Sequence, residues 1–217
     1  MKRLAILALL LGAISTSANA GYVAYYGYTG GYWLDWVYVP YAGNNPLTLI
    51  YLHYYAGSNT PTGPYNDYIG FCTDPHTSGI PGHVVTEMAL EDYMGNRGVQ
   101  AAWLWQQHFA SLGSDNVKIS ALQAAIWEVI CETAPAYDVS NNAGLLYVAS
   151  TNADALNVVA QANQWLSEIP ASIDKAGISN DIRVLDSDTY QPFIIQVPEP
   201  ATLAILGLGG LAFLRRR

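Results

Sequence analysis

Twelve of the sixteen tyrosines lie between Tyr22 and Tyr68, with Trp33 and Trp36 among them. No other feature restricts the fold so strongly. Tyr and Trp pack well on a pleated, half-buried surface and fit strands better than helices. Gly30-Gly31, Gly43-Asn44-Asn45-Pro46 and Gly57-Ser58-Asn59-Thr60-Pro61 interrupt the aromatic run and read as turns. Residues 47–54 form the best strand pattern, followed by 65–72. Residues 21–71 therefore predict a β lobe of several short strands. The rings offer flat area and a hydroxyl for a ligand, but covering the sheet is the plainer role for most of them.

The pattern changes near Pro81. Residues 86–94 predict a short helix capped by Thr86 and stopped by Gly95. Residues 99–112 predict a second, with Ala102, Trp105 or Gln106, and Phe109 on one face and Gly113 as its stop. A third spans 120–133 before Pro135. A fourth spans 151–169, with Leu156, Val159, Leu166 and Ile169 as its apolar stripe and Pro170 after it. Strand character returns at 182–185 and 193–197. The order of strands, helices and strands predicts an α+β fold. Its β lobe, a sandwich or barrel-like, takes residues 21–75 and 180–197. The helical insertion takes residues 82–170, and the terminal strands complete the sheet.

Both ends read as targeting devices. Lys2 and Arg3, the apolar residues 4–14 and Ala18-Asn19-Ala20 have the three parts of a secretory signal peptide over residues 1–20. At the other end, Val197-Pro198-Glu199-Pro200 is followed by an uncharged apolar stretch over 201–214 and then by Arg215, Arg216 and Arg217. At 1.5 Å per residue that stretch reaches about 21 Å, so it spans a bilayer only with help from its flanks. The arginines should stay cytoplasmic. This tail resembles the PEP-CTERM sorting signal. The resemblance implies recognition by an exosortase, a transmembrane helix holding the chain in the inner membrane until processing, and delivery to the surface or matrix of a Gram-negative bacterium. Outside these segments, residues 21–197 carry four basic and sixteen acidic side chains, a net charge of −12. Such a surface does not attract nucleic acid.

Two cysteines, Cys72 and Cys131, remain for an exported body. In an oxidising compartment two cysteines commonly pair, so a Cys72–Cys131 disulfide is one reading. A cysteine hydrolase built on Cys72, a histidine and Asp74 is a weaker one, since the sequence has no local cysteine-protease signature. The four histidines offer no i, i+4 pair for a metal, and no cofactor is called for.

A third reading joins two stretches, Phe71-Cys72-Thr73-Asp74 and Leu122-Gln123-Ala124-Ala125-Ile126-Trp127. Ser120 stands three residues before Gln123, which makes a capping box at a helix start. On that reading Gln123 is a helix cap. The same position would also set its side-chain carbonyl against free N–H groups and the positive end of the helix dipole. Ile126, Trp127 and Ile130 share its face, and Phe71 with Trp127 would shield the pair from water. Asp74-Pro75 predicts a turn just after the cysteine; Asp74, His76 and His83 are the nearest candidate bases. Together the two stretches resemble the signature of the bacterial thioester domains, an aromatic-Cys-x-Asp followed later by Leu/Thr-Gln-x-x-aliphatic-Trp. The resemblance implies a β lobe with a helical insertion and an internal thioester between Cys72 and Gln123 at the seam. It implies covalent adhesion to an amine-bearing surface or matrix target, performed once and therefore not enzymatic. Cys131 would then be an inert buried thiol near Trp127. With the disulfide instead, the protein is a non-covalent exopolysaccharide-binding or structural surface domain.

Overall fold

The computed structural model describes residues 20–38, 41–55, 60–61, 66–77, 82–133 and 136–197. The signal peptide, Pro198, Glu199, Pro200, the apolar tail and the terminal arginines lie outside the described residues.

Seven antiparallel strands are described: β1 (Ala20–Tyr38), β2 (Tyr41–Tyr55), β3 (Asn66–Cys72), β4 (His83–Met88), β5 (Leu146–Val148), β6 (Ile182–Asp186) and β7 (Phe193–Gln196). Six of them close on themselves in the order β1-β2-β3-β7-β6-β4, with β4 returning to β1. The result is a six-stranded barrel. β5 adds to the far end of β1, Val37 opposite Tyr147. The fold is α+β, and its β lobe is a barrel. β6 and β7 sit between β4 and β3, so the last strands of the chain close a sheet that the first ones begin.

Four helices are described: α1 (Leu90–Met94), α2 (Asn96–His108, continued by a 3-10 turn at Phe109–Ser111), α3 (Asn116–Cys131) and α4 (Ala153–Ser167). The first begins later than the sequence predicts. Thr86, Glu87 and Met88 belong to β4, paired with Asp186, Leu185 and Val184 of β6. Val84, Val85 and Thr86 are β-branched, and two neighbouring strands supply ladder bonds that a one-turn helix does not replace. On α4 the buried residues are Ala155, Val158, Ala162, Trp165 and Leu166, while Leu156 is 58 % exposed. The predicted stripe is thus rotated by about one residue, and Asn152 caps the helix by accepting from Ala155 N at 2.8 Å.

α3 is the central element. Every residue from Ile119 to Cys131 is buried, which marks a helix enclosed on all sides. Its seat is prepared by β1. Gly30 and Gly31 have φ of 71° and 91°, a left-handed geometry that glycine adopts without strain, and the β1–β2 register slips between Thr29 and Tyr32. The bulge presents Gly31 N to Asn116 Oδ1 at 2.9 Å. A Cβ on Gly30 would stand 2.6 Å from the movable end of Ile119, whereas one on Gly31 would stand 2.2 Å from the Leu47 backbone oxygen, so the close approach of β1 and β2 needs glycine at position 31.

Candidate functional site

The N-terminal cap of α3 is Asp115, whose Oδ1 accepts from Val117 N at 2.9 Å and Lys118 N at 3.2 Å. Ser120 is not the cap, which corrects the capping-box reading. It lies inside the helix, fully buried, accepting from Tyr32 N and donating to Leu47 O, both at 2.8 Å. One hydroxyl thereby ties α3 to β1 and β2. Gln123 is accordingly the eighth residue of α3 rather than a first-turn residue. The free N–H groups and dipole end expected beside its carbonyl are more than a turn away, since the helix starts at Asp115. The signal for this start was Asp115 directly before Asn116-Val117.

The structure does bring Gln123 to Cys72. Cys72 is the last residue of β3, paired with Phe193 of β7. The β2–β3 ladder has ended two residues earlier, at Ile50 opposite Gly70. In place of a further β2 residue stands the Gln123 amide. Its Oε1 accepts from Cys72 N at 3.1 Å and its Nε2 donates to Cys72 O at 2.8 Å. Gln123 is 1 % exposed and Cys72 is 2 % exposed. A side-chain amide has the donor and acceptor of a peptide unit, so it satisfies strand groups that would otherwise be buried unpaired.

The Cys72 thiol donates to Asp74 O at 3.0 Å, and Gln191 Nε2 donates to the same oxygen at 3.3 Å. The Asp74 carboxylate is engaged in the turn, with Oδ1 accepting from His76 N at 2.8 Å and Oδ2 from Thr77 Oγ1. Burial pushes the Cys72 thiol far above the ordinary range, and the Trp127 indole is the foremost group opposing that rise. The sulfur is therefore protonated at neutral pH. Trp127 packs against Trp36 with centroids 5.1 Å apart. Ile126 is fully buried. Phe71 lies on the opposite side of β3 from Cys72 by strand alternation, and its ring meets Trp105 edge-on at 5.6 Å.

Two side chains by the cysteine had no signal in the sequence. Thr73 Oγ1 donates to Tyr93 OH at 3.1 Å, and burial raises the Tyr93 phenol, with Asp74, Asp186 and Cys72 adding to the rise. Gln191 arrives from the turn between β6 and β7. Both are remote in sequence from Cys72, and only barrel closure places them there. The His83 and Tyr190 rings meet at a tilt of 42°, with centroids 4.9 Å apart.

Cys131, at the other end of α3, is buried, and Cys72 and Cys131 are separate free thiols. Burial raises the Cys131 thiol, and the charges of Asp74 and Glu128 raise it further. Among the described residues no group of three or more His, Cys, Asp or Glu is arranged to hold a metal, and no helix is long and apolar enough to cross a membrane.

Residues 196–217 match the PEP-CTERM protein-sorting motif. Such signals are recognised by exosortase, and the motif implies export with membrane-associated processing in a Gram-negative bacterium. No curated protein and no solved structure matches the chain.

Proposed function

We propose that this exported chain is a single-use covalent adhesin whose reactive group is an internal thioester between Cys72 and Gln123. The observation that carries the reading is the Gln123 amide held against Cys72, at 3.1 Å and 2.8 Å from its backbone N and O. A glutamine in the middle of a fully buried helix is costly unless it is satisfied; here the residue that satisfies it is the cysteine. Ring closure balances simply. The Cys72 sulfur bonds to Gln123 Cδ, the C–N bond breaks, and the thiol proton leaves with the amide nitrogen as ammonia. Burial of both residues supports a long-lived product by keeping water away.

Function follows by the reverse exchange with another nucleophile. A primary amine on a surface or matrix target attacks Gln123 Cδ, an amide forms, and Cys72 is released as a thiol. The protein is consumed as a reagent and does not turn over. Export through an exosortase supports a place of action outside the inner membrane, on the cell surface or in the surrounding matrix.

The test is the intact mass of residues 21–197, purified from the periplasm, before and after methylamine. A mass lower than the sequence by one ammonia, rising by one methylamine on treatment, is the expected result. The unmodified mass would leave Gln123 as a structural substitute for a strand residue. A mass lower by two hydrogens and indifferent to methylamine would identify a Cys72–Cys131 disulfide and a non-covalent surface domain.

A further inference from the structure

Trp127 carries a buried polar group that packing alone does not explain. The residue is 3 % exposed, yet Nε1 has no hydrogen-bond partner of ordinary geometry. A buried indole N–H normally finds an acceptor. Trp127 follows Gln123 by four residues on α3, so both side chains leave the helix on the same side. Gln123 is bonded to Cys72 on that side. Burial pushes the Cys72 thiol up, and the Trp127 indole is the foremost group opposing that rise. A thiol sulfur is a weak acceptor; a thiolate is a strong one, because charged acceptors make the stronger bonds.

We propose that the Trp127 indole N–H takes up the charge on Cys72 Sγ when its thioester with Gln123 is opened by a primary amine. The inference rests on the covalent reading above. In that step the amine nitrogen bonds to Gln123 Cδ, the C–S bond breaks, and its electron pair passes to sulfur. The amine nitrogen gives up one proton and the sulfur finally takes one. A thiolate forming in a dry pocket is costly. An unsatisfied donor on the helix face that carries Gln123 lowers that cost, and it gains most when the charge is there. The orphaned N–H of the resting protein is then a group waiting for its acceptor to charge.

The experiment replaces Trp127 by β-(3-benzothienyl)alanine, which keeps the bicyclic shape against Trp36 and removes only the N–H. Trp127→Phe serves as a second variant. Both are made in a Cys131→Ala background, so that Cys72 is the one thiol. Intact mass decides first whether the thioester is present in each protein. Methylamine then opens it, and the released Cys72 is alkylated with iodoacetamide at fixed pH. The benzothienyl variant should close the thioester, open it about tenfold more slowly, and show Cys72 alkylation about tenfold slower, as a tenfold loss of thiolate at fixed pH requires. Equal opening and alkylation rates in the benzothienyl variant and its Trp127 parent would overturn the role. If the parent itself lacks the mass deficit, the covalent reading fails. The alkylation comparison still decides whether the N–H acts on the sulfur.

Discussion

At the scale of single residues, Cys72 and Gln123 are joined by two hydrogen bonds. Their hydrogen bonds join α3 to the end of β3 whether or not a covalent bond forms, and that connection can be tested apart from the chemistry. Gln123→Ala removes two buried hydrogen bonds and strands the Cys72 backbone groups, at a cost of about 2–4 kcal/mol, read from urea denaturation. The same variant should leave Cys72 as a free thiol, alkylated once the protein is unfolded; a Cys72 still blocked under non-reducing conditions would point to the disulfide. Cys72→Ala should abolish methylamine incorporation in the mass spectrum, and incorporation that persisted would sink the thioester reading. Asp74 is placed differently. Its carboxylate organises the turn through His76 and Thr77, and its backbone oxygen meets the sulfur.

At the scale of elements, α3 is a helix whose position is set by side chains at both ends. Ser120 makes a part-buried bond to β1 and a buried one to β2, whereas Asp115 caps an exposed helix start. Ser120→Ala should therefore cost more, about 1–3 kcal/mol with unsatisfied strand groups left behind, against about 1 kcal/mol for Asp115→Ala. Parallel urea titrations of the two variants check the order. At the far end of α3, two carboxylates hold the 136–145 loop. Glu128 Oε1 accepts from Asp138 N and Glu132 Oε2 from Leu145 N, each at 2.9 Å, while Glu128 Oε2 is buried without a hydrogen-bond partner. Burial pushes the Glu128 carboxyl up to about 8, with the charges of Glu132 and Asp138 adding to the rise. A carboxyl whose folded pKa lies above its unfolded value favours the folded state fully below that unfolded value, near about 4.3. The contribution is lost as pH rises through about 8. Glu128→Gln should thus raise the melting temperature at about pH 9 and change it little at about pH 4. Each tenfold change in proton affinity is worth about 1.4 kcal/mol, so the stabilisation amounts to a few kcal/mol. Thermal denaturation across that range measures it.

At the scale of the whole molecule, Cys72 and Gln123 are enclosed by the closure of the barrel and the helix packed on it. Cys72 lies between Phe193 of β7 and the Gln123 amide from α3. Gln123 and Cys72 are buried, so on the thioester proposal an external amine reaches Gln123 Cδ only through local opening, and small amines should react faster than bulky ones. Methylamine should be incorporated faster than a branched amine of similar basicity under native conditions, and the difference should shrink in mild denaturant. Mass spectrometry of time points reads both. Export adds a separate expectation. Deleting Arg215, Arg216 and Arg217 removes the basic end of the PEP-CTERM motif. The chain should then accumulate unprocessed, seen as a larger species in membrane fractions.

The sequence alone determined the alternation of aromatic strands and helices, the extent of α4 to within about two residues at each end and the sorting motif at the C-terminus, because these depend on local propensity and ordered segments. Cys72 and Gln123 came together in the sequence only through a family resemblance, and the hydrogen bonds between them belong to the tertiary structure. Local rules misled where two of them competed. Ser120 satisfied a capping pattern, but Asp115 capped the helix and freed Ser120 to bond two strands. Thr86 satisfied another, but pairing to β6 kept residues 86–88 extended. Tertiary structure alone decided the closure of the barrel, the arrival of Gln191 and Tyr93 beside Cys72, and the buried, unpaired N–H of Trp127. Each of these depends on elements far apart in the chain being brought to hydrogen-bonding distance, and no local pattern of residues encodes that approach.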